Sequence, residues 1–348
     1  MQFVGYPIMS DNKLKKYINK YIILALKKAD NNLPNSKQFE SGSEPEKLGI
    51  KDWAIQTPAR ESITKIFYLS LNGKNQYVVK FHRKRKSLNR TVLNIEHFLK
   101  HKQNVPDIIY FDNSLRTRFA LGYYISVESF VEGKHLDEVD LTSDIISSFA
   151  VELAKVHSVK RCYPGLVNCK YHCNLSNCWL NIVNDRIKLM KRRGIGFDLS
   201  ELQIIKSYFK NEANSFKDRV VCELTHHDLY PDNIIIDSNN SIWFIDTMRA
   251  WYGIYAWDLT EILYLIELRD IGLKRQFEDV YFKNVAHITR EDYNIHKRFF
   301  EAWLHFRAAC AAARRMARGK TRSKSGRLLQ DDLQIHKNFL FEHYIKKR

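Results

Sequence analysis

Leu224-Thr-His-His-Asp-Leu-Tyr-Pro-Asp-Asn-Ile-Ile-Ile-Asp237, followed by Ile242-Trp-Phe-Ile-Asp-Thr-Met248, is the stretch from which the rest of the chain can be read. The pattern predicts a loop carrying His226, Asp228 and Asn233, a short buried strand at Ile234-Ile-Ile236, and a turn at Asp237-Ser-Asn-Asn240. A second strand, Ile242 to Ile245, then delivers Asp246. That is a hairpin with polar groups at its mouth. Two carboxylates and an amide meet the demands of phosphoryl transfer. One carboxylate positions and deprotonates an acceptor hydroxyl, while the amide oxygen and the second carboxylate hold Mg²⁺ on nucleotide phosphates. Asp228 is the candidate base; Asn233 and Asp246 are the candidate metal ligands. The bland alternative is a polar turn whose Asp and Asn side chains only close the hairpin.

His226-His-Asp-Leu-Tyr-Pro-Asp-Asn233 resembles the His-Gly-Asp-Leu-His-Pro-Gly-Asn loop of the aminoglycoside phosphotransferase and choline kinase superfamily, the small-molecule branch of the protein-kinase-like fold. Downstream, Ile245-Asp246 with Ala250, Gly253 and Trp257-Asp-Leu259 keeps that family's Ile-Asp-x3-Ala-x2-Gly-x3-Tyr-Asp-Leu register, although Ile254-Tyr255 replace its usual Asp-Pro. The resemblance covers about residues 50 to 270. It implies an α+β, bilobal kinase-like fold with a small antiparallel-sheet N-lobe and a larger, mainly helical C-lobe. It also implies ATP or GTP with Mg²⁺ as cofactors. The division expected is an N-terminal helix and linker over 1–47, an N-lobe over 48–127 and a C-lobe over 128–348.

Working upstream, Trp53 to Thr57, Ile63 to Leu71 and Gln76 to Phe81 read as strands, with a hairpin turn at Asn72-Gly-Lys-Asn75. Lys80 ends the third strand, and a lysine there needs a partner for its charge. The resemblance supplies one: Lys80 grips the α- and β-phosphates and pairs with Glu96, 16 residues on, in a helix over Ser87 to Lys100 with Ser87 as N-cap. Thr57-Pro-Ala-Arg-Glu-Ser-Ile-Thr64, where a protein kinase carries phosphate-binding glycines, has none. Family members of this branch often use a serine instead, so Ser62 is the candidate, with an ordinary turn serine as the open alternative. Val127-Glu-Ser-Phe-Val-Glu-Gly133 resembles the interlobe hinge, which implies that backbone groups of about Glu128 to Phe130 bond the adenine edge.

Leu14, Ile18, Ile22 and Leu26 recur at helical spacing and predict an amphipathic helix over 12–30 that packs on the small lobe, before a polar linker from Asn31 to Lys47. His157, in Leu153-Ala-Lys-Val-His157, reads as a packed, hydrogen-bonded structural histidine. Cys162, Cys169, Cys173 and Cys178, with His172, lack the Cys-x2-Cys knuckle of a zinc site, so buried thiols are expected there, with a metal site as the open alternative. Asp258 resembles the family's Asp that stabilises the catalytic loop. Helices are predicted over Glu261 to Leu268, Arg290 to Arg318 and Leu328 to Tyr344. The resemblance assigns acceptor choice to Trp251, Tyr252, Tyr255 and residues 290–330.

The formal charge of +17 predicts attraction to polyanions, although Lys, Asn and Ile are abundant together, as in proteins of AT-rich genomes. The basic run Arg314, Arg315, Arg318, Lys320, Arg322, Lys324 and Arg327 reads as a solvated helix end or as contact with an anionic acceptor or membrane surface. No stretch reaches the 18 or so apolar residues of a spanning helix and the first residues lack a signal-peptide pattern, so a cytoplasmic protein, with docking at the inner membrane face as a variant, is expected. In that compartment the six cysteines should not form disulfides. Together these readings predict a kinase for a hydroxyl of a small molecule or glycan, tilted by the basic charge toward an anionic envelope sugar. The rivals are a non-catalytic pseudokinase, an aminoglycoside- or choline-type kinase, and a protein kinase, which the missing Asp-Phe-Gly and Ala-Pro-Glu oppose. No specific nucleic acid is expected, since no reader motif accompanies the charge.

Overall fold

A computed structural model describes residues 11–18, 22, 53–56, 65–71, 73–169, 174–323 and 326–346. Ser62 and its loop, Leu26, the 31–47 linker, His172, Cys173 and Lys324 lie outside the described residues. In chain order the strands are β1 (Trp53–Gln56), β2 (Lys65–Leu71), β3 (Lys74–His82), β4 (Ile108–Asp112), β5 (Tyr124–Ser129) and β6 (Lys134–His135). They continue as β7 (Lys160–Arg161), β8 (Gly165–Leu166), β9 (Cys222–Thr225), β10 (Ile234–Ile236), β11 (Ile242–Phe244) and β12 (Trp251–Gly253). The described residues fall into two compact units. The first runs to Val139 and takes in Pro231–Arg249; the second joins Asp140–Tyr230 to the residues from Ala250 onward. The hairpin β10–β11 thus belongs to the smaller unit, although a contiguous division at 127/128 assigns it to the larger.

The smaller unit is built on an antiparallel sheet of order β1-β2-β3-β5-β4. Strand alternation sends Phe67, Leu69, Val79, Phe81, Ile125 and Val127 to one face, where they are buried with Leu14, Ile18 and Ile22 from the N-terminal segment. Each such apolar side chain contributes roughly 1.5–3 kcal/mol by leaving water. The same alternation sends Lys80, His82, Ser126 and Glu128 to the other face, with Lys80 opposite Ser126 and Val78 opposite Glu128 in the β3–β5 register. The helix Arg85–Lys100 packs there through Leu88 and Val92 against Tyr124. Its N-cap is Lys84, not Ser87 as the sequence suggested; the Ser87 hydroxyl is turned instead onto Met248 Sδ, 2.6 Å away. A short helix, Leu115–Leu121, separates β4 from β5, with Ser114 capping it by accepting from Thr117 N–H.

The predicted hairpin forms as read: Ile234 pairs with Phe244 and Ile236 with Ile242. Asp237 closes its turn by accepting from the N–H groups of Asn239 and Ser241 and from Trp243 Nε1. β6 adds a third strand on the other side of β10. That approach needs glycine at 133, because a Cβ would run into the Ile236 carbonyl oxygen.

The larger unit is mainly helical: Ser143–Ser158, Leu175–Arg193, Leu199–Glu212, Ala256–Glu267, Ile271–Asn284, Arg290–Met316 and Leu329–Leu340 surround a small sheet of order β7-β9-β12-β8. Its core is unusually aromatic, with Trp179 ringed by Trp251, Trp257, Phe299, Phe300 and Trp303. Trp251, Tyr252 and Tyr255, expected at an acceptor pocket, are buried core residues. Arg161 covers the Tyr252 ring at 4.0 Å, and Tyr255 spends its hydroxyl on Asp292, 2.8 Å away. The cysteines also differ from expectation. Cys162 and Cys169 are exposed thiols in the loops beside β7 and β8, whereas Cys178, buried in the first turn of its helix, is disulfide-bonded. Among the described residues no group of three or more His, Cys, Asp or Glu side chains could hold a metal ion, and no helix is long and apolar enough to cross a membrane.

Candidate active site

The smaller unit carries Lys80, the lysine expected to grip the phosphates. Lys80 Nζ lies 2.7 Å from Glu128 Oε2, and the two side chains are 11% and 2% exposed. Burial alone would pull the Lys80 pKa down, but the charges of Glu128 and then Asp246 outweigh it and leave the ammonium firmly protonated. Behind it, Ser126 Oγ stands between His82 Nε2, at 2.9 Å, and Glu128 Oε1, at 3.4 Å. Burial, reinforced by Lys80 and opposed by Asp246, pushes His82 down to about 4, so it serves that chain as a neutral imidazole.

Two expectations are corrected here. Glu96 does not hold Lys80: it lies on the exposed side of its helix, and the cross-strand diagonal from β3 to β5 brings Glu128 to the ammonium instead. Nor is the Phe130 N–H open for adenine. Glu128 sits in a strand flanked by β3 and β4, and Phe130 N–H donates to the Gln76 carbonyl. What the helix sends toward the hairpin is Asn94, whose amide donates to the Thr247 carbonyl at 2.7 Å, together with Ser87. Asp246 therefore precedes a braced segment, and its own backbone is left-handed, with φ of 58°. Ile245 N–H donates to the Asn233 carbonyl at 2.9 Å, tying the backbones of the two candidate ligands across the hairpin. A carboxylate and an amide oxygen are the hard donors that Mg²⁺ prefers.

The larger unit carries the candidate base. Asp258, fully buried in the first turn of its helix, accepts from His226 N–H at 2.6 Å and His227 N–H at 2.9 Å. Burial works to raise its pKa, but hydrogen bonding and charge from His157, aided by His226 and His227, hold the carboxyl below its ordinary value. His157 is buried between Asp258 and the Tyr281 hydroxyl, which lies 2.7 Å from Nδ1. His227 stands where the resembling loop has glycine. Its φ of 67° explains that preference, and its ring is held among Trp179, Trp251 and Trp257.

The next residue, Asp228, meets a partner that the sequence did not reveal. Arg307 Nη2 donates to Asp228 Oδ1 at 3.1 Å while Nη1 donates to Glu261 Oε1 at 2.6 Å. The guanidinium lies 4.9 Å from the Tyr230 ring centre and 5.0 Å from that of Trp257. Burial would lower the Arg307 pKa, but Glu261, Tyr230 and Asp228 raise it well above its ordinary value. Glu261 moves the other way from most paired acids: burial pushes it up to about 7 despite Arg307, with Asp258 and Asp228 adding to the rise.

A sequence model of the choline/ethanolamine kinase family matches residues 111–343. Among curated proteins no sequence matches significantly. Solved structures share the fold at low identity. A putative aminoglycoside phosphotransferase from Ralstonia eutropha JMP134 aligns with a TM-score of 0.64 and 14% identity over 97% of this chain and 98% of its own. The GDP complex of wild-type aminoglycoside 2′-phosphotransferase-IIIa aligns at 0.54 and 15% over 85% and 93%. Macrolide 2′-phosphotransferase MphH from Brachybacterium faecium aligns at 0.54 and 12% over 82% and 92%. With the kinase-like fold and two thirds of the sequence matched, the chain belongs to the choline/ethanolamine kinase family and is a phosphotransferase acting on an alcohol group.

Proposed function

We propose that the chain transfers the terminal phosphoryl group of ATP or GTP to a hydroxyl of a small molecule or glycan. The observation that carries this reading is the buried Lys80 ammonium, kept charged by Glu128 and Asp246 on one face of the small sheet. A buried lysine held in this way is suited to phosphate oxygens. Asn233 and Asp246 would hold Mg²⁺, which when bound neutralises charge on the phosphates. Asp228 takes the proton of the acceptor hydroxyl, and the backbone of its loop is fixed by Asp258. Rate then comes chiefly from positioning and charge neutralisation.

On the acceptor, the pairing of Asp228 with Arg307 favours an uncharged or anionic hydroxyl compound, such as an envelope sugar. A cationic acceptor would approach a base whose charge is already compensated. The basic surface supports the same choice and would suit docking at an anionic membrane face.

Calorimetry of ATP and GTP binding, with and without Mg²⁺, tests the reading on the wild type and Asp246→Ala. Metal-dependent binding lost in the variant is expected; a folded wild type that binds neither nucleotide overturns it. A panel of neutral, anionic and cationic hydroxyl compounds then reads the acceptor class, and phosphorylation confined to cationic ones overturns the acceptor proposal.

A further inference from the structure

We propose that Arg307 is a positioning residue of the transfer step, acting through Asp228, with Glu261 as its anchor. This rests on the reading of Asp228 as the base. Two features of the larger unit lead to it. Asp258 and Glu261 stand three residues apart on the helix Ala256–Glu267 and so share a face. From that face Asp258 fixes the backbone of the loop at His226 and His227, while Glu261 reaches Arg307, which in turn takes the side chain of Asp228. One helix thus controls the loop twice, once through its backbone and once through the reacting carboxylate.

The second feature is how completely the guanidinium is restrained. Its edge is fixed by two charge-assisted hydrogen bonds to different carboxylates, and its central carbon lies over the rings of Tyr230 and Trp257. Charge balance alone would require none of this orientation. A carboxylate turns easily about its last torsion, and it serves as a base only when one oxygen meets the acceptor hydroxyl at hydrogen-bond distance. Holding Oδ1 at 3.1 Å from a guanidinium that cannot itself turn sets the plane of the Asp228 carboxylate before the acceptor arrives. The remaining carboxylate oxygen of the anchor, Glu261 Oε2, is buried and has no hydrogen-bond partner among the described residues. The anchor's polar bonding is therefore directed at Arg307.

A double-mutant cycle on full-length protein tests the route, with γ-labelled ATP and Mg²⁺ as probe and water in the acceptor's place, following release of phosphate. Folding is checked by thermal melting and by calorimetric ATP affinity, both independent of turnover. Arg307→Gln should lower the turnover number about 10- to 100-fold with KM for ATP within about twofold of wild type. Arg307→Lys, a point charge that cannot bridge two carboxylates, should recover only part of that loss and stands in if the Gln variant does not fold. In an Asp228→Asn background, removing Arg307 should cost nothing further. Equal losses in both backgrounds, full activity of Arg307→Gln, or full recovery by lysine each overturn the proposal. Turnover unchanged by Asp228→Asn alone would instead remove Asp228 as the base, a separate failure of the underlying reading.

Discussion

The ammonium of Lys80 and the carboxylate of Glu128 face each other across adjacent strands of one sheet, 2.7 Å apart and almost wholly out of water. Removing one member of such a pair leaves an uncompensated buried charge. Glu128→Gln should therefore destabilise the protein by about 3 kcal/mol or more and weaken ATP affinity. Glu96→Ala, on the exposed side of its helix, should change stability by less than about 0.5 kcal/mol. Chemical denaturation and calorimetry on both variants check this; a larger effect at Glu96 would return the lysine's partner to the helix.

Asp228→Ala should reduce phosphoryl transfer by about two to four orders of magnitude while ATP affinity stays near wild type, because the candidate base contributes to chemistry and not to phosphate binding. Steady-state turnover and calorimetry on the same preparation separate the two effects. Unchanged turnover removes Asp228 from the mechanism.

Glu261 gives the stability a pH dependence of unusual sign. Burial raises it from 4.5 to about 7 in the fold, so between those values the folded protein binds more protons than the unfolded chain. Its contribution is present below the lower value and is lost as pH rises through 7. Across that window the wild type should lose stability relative to Glu261→Gln by up to about 1.4 kcal/mol per pH unit. Urea midpoints from pH 4.5 to 8 measure the difference, and a gap independent of pH would show that Glu261 does not titrate there.

His305 acts in the opposite direction. It lies on the helix Arg290–Met316 with Nδ1 3.0 Å from His336 Nδ1 on Leu329–Leu340 and its ring stacked on Phe339. Burial, then His336 and His343, lower it from 6.5 to about 3, and burial lowers His336 as well. These groups contribute stability above pH 6.5 that is lost as pH falls toward 3. His305→Leu should flatten that acid limb, read as denaturation midpoints between pH 7 and 4. An identical limb would place the titration elsewhere.

The hairpin that delivers Asp246 and the loop around Asp228 were legible because their spacing is local and their polar residues interrupt apolar runs. The amphipathic N-terminal segment was legible for the same reason, since Leu14, Ile18 and Ile22 recur at one spacing and all are buried. The partner of Lys80 was not, because it depends on a register between strands separated by a helix, and the stretch around Glu128 carried a hinge-like pattern instead. Arg307 lay further still, on a helix 79 residues beyond Asp228, amid many other basic residues. One signal was present: it shares a helix face with Trp303 and Cys310, both buried, and a charge inside such a row needs a partner. His227 offered another, since a bulky residue at a position where glycine is usual asks what holds the backbone left-handed.

The smaller unit is assembled from two lengths of chain, the first ending at Val139 and the second running from Pro231 to Arg249. On a ribosome these are made far apart in time. At about 5–20 residues per second, the stretch between them takes on the order of ten seconds to emerge, during which β6 has no β10 to pair with and Lys80 has no Asp246 beside it. The sheet can form early around its apolar face, but the side proposed to bind phosphate is finished only after nearly half of the larger unit has been synthesised. Truncation between Val139 and Asn233 would therefore keep all five strands of the sheet but remove both residues proposed to hold the metal.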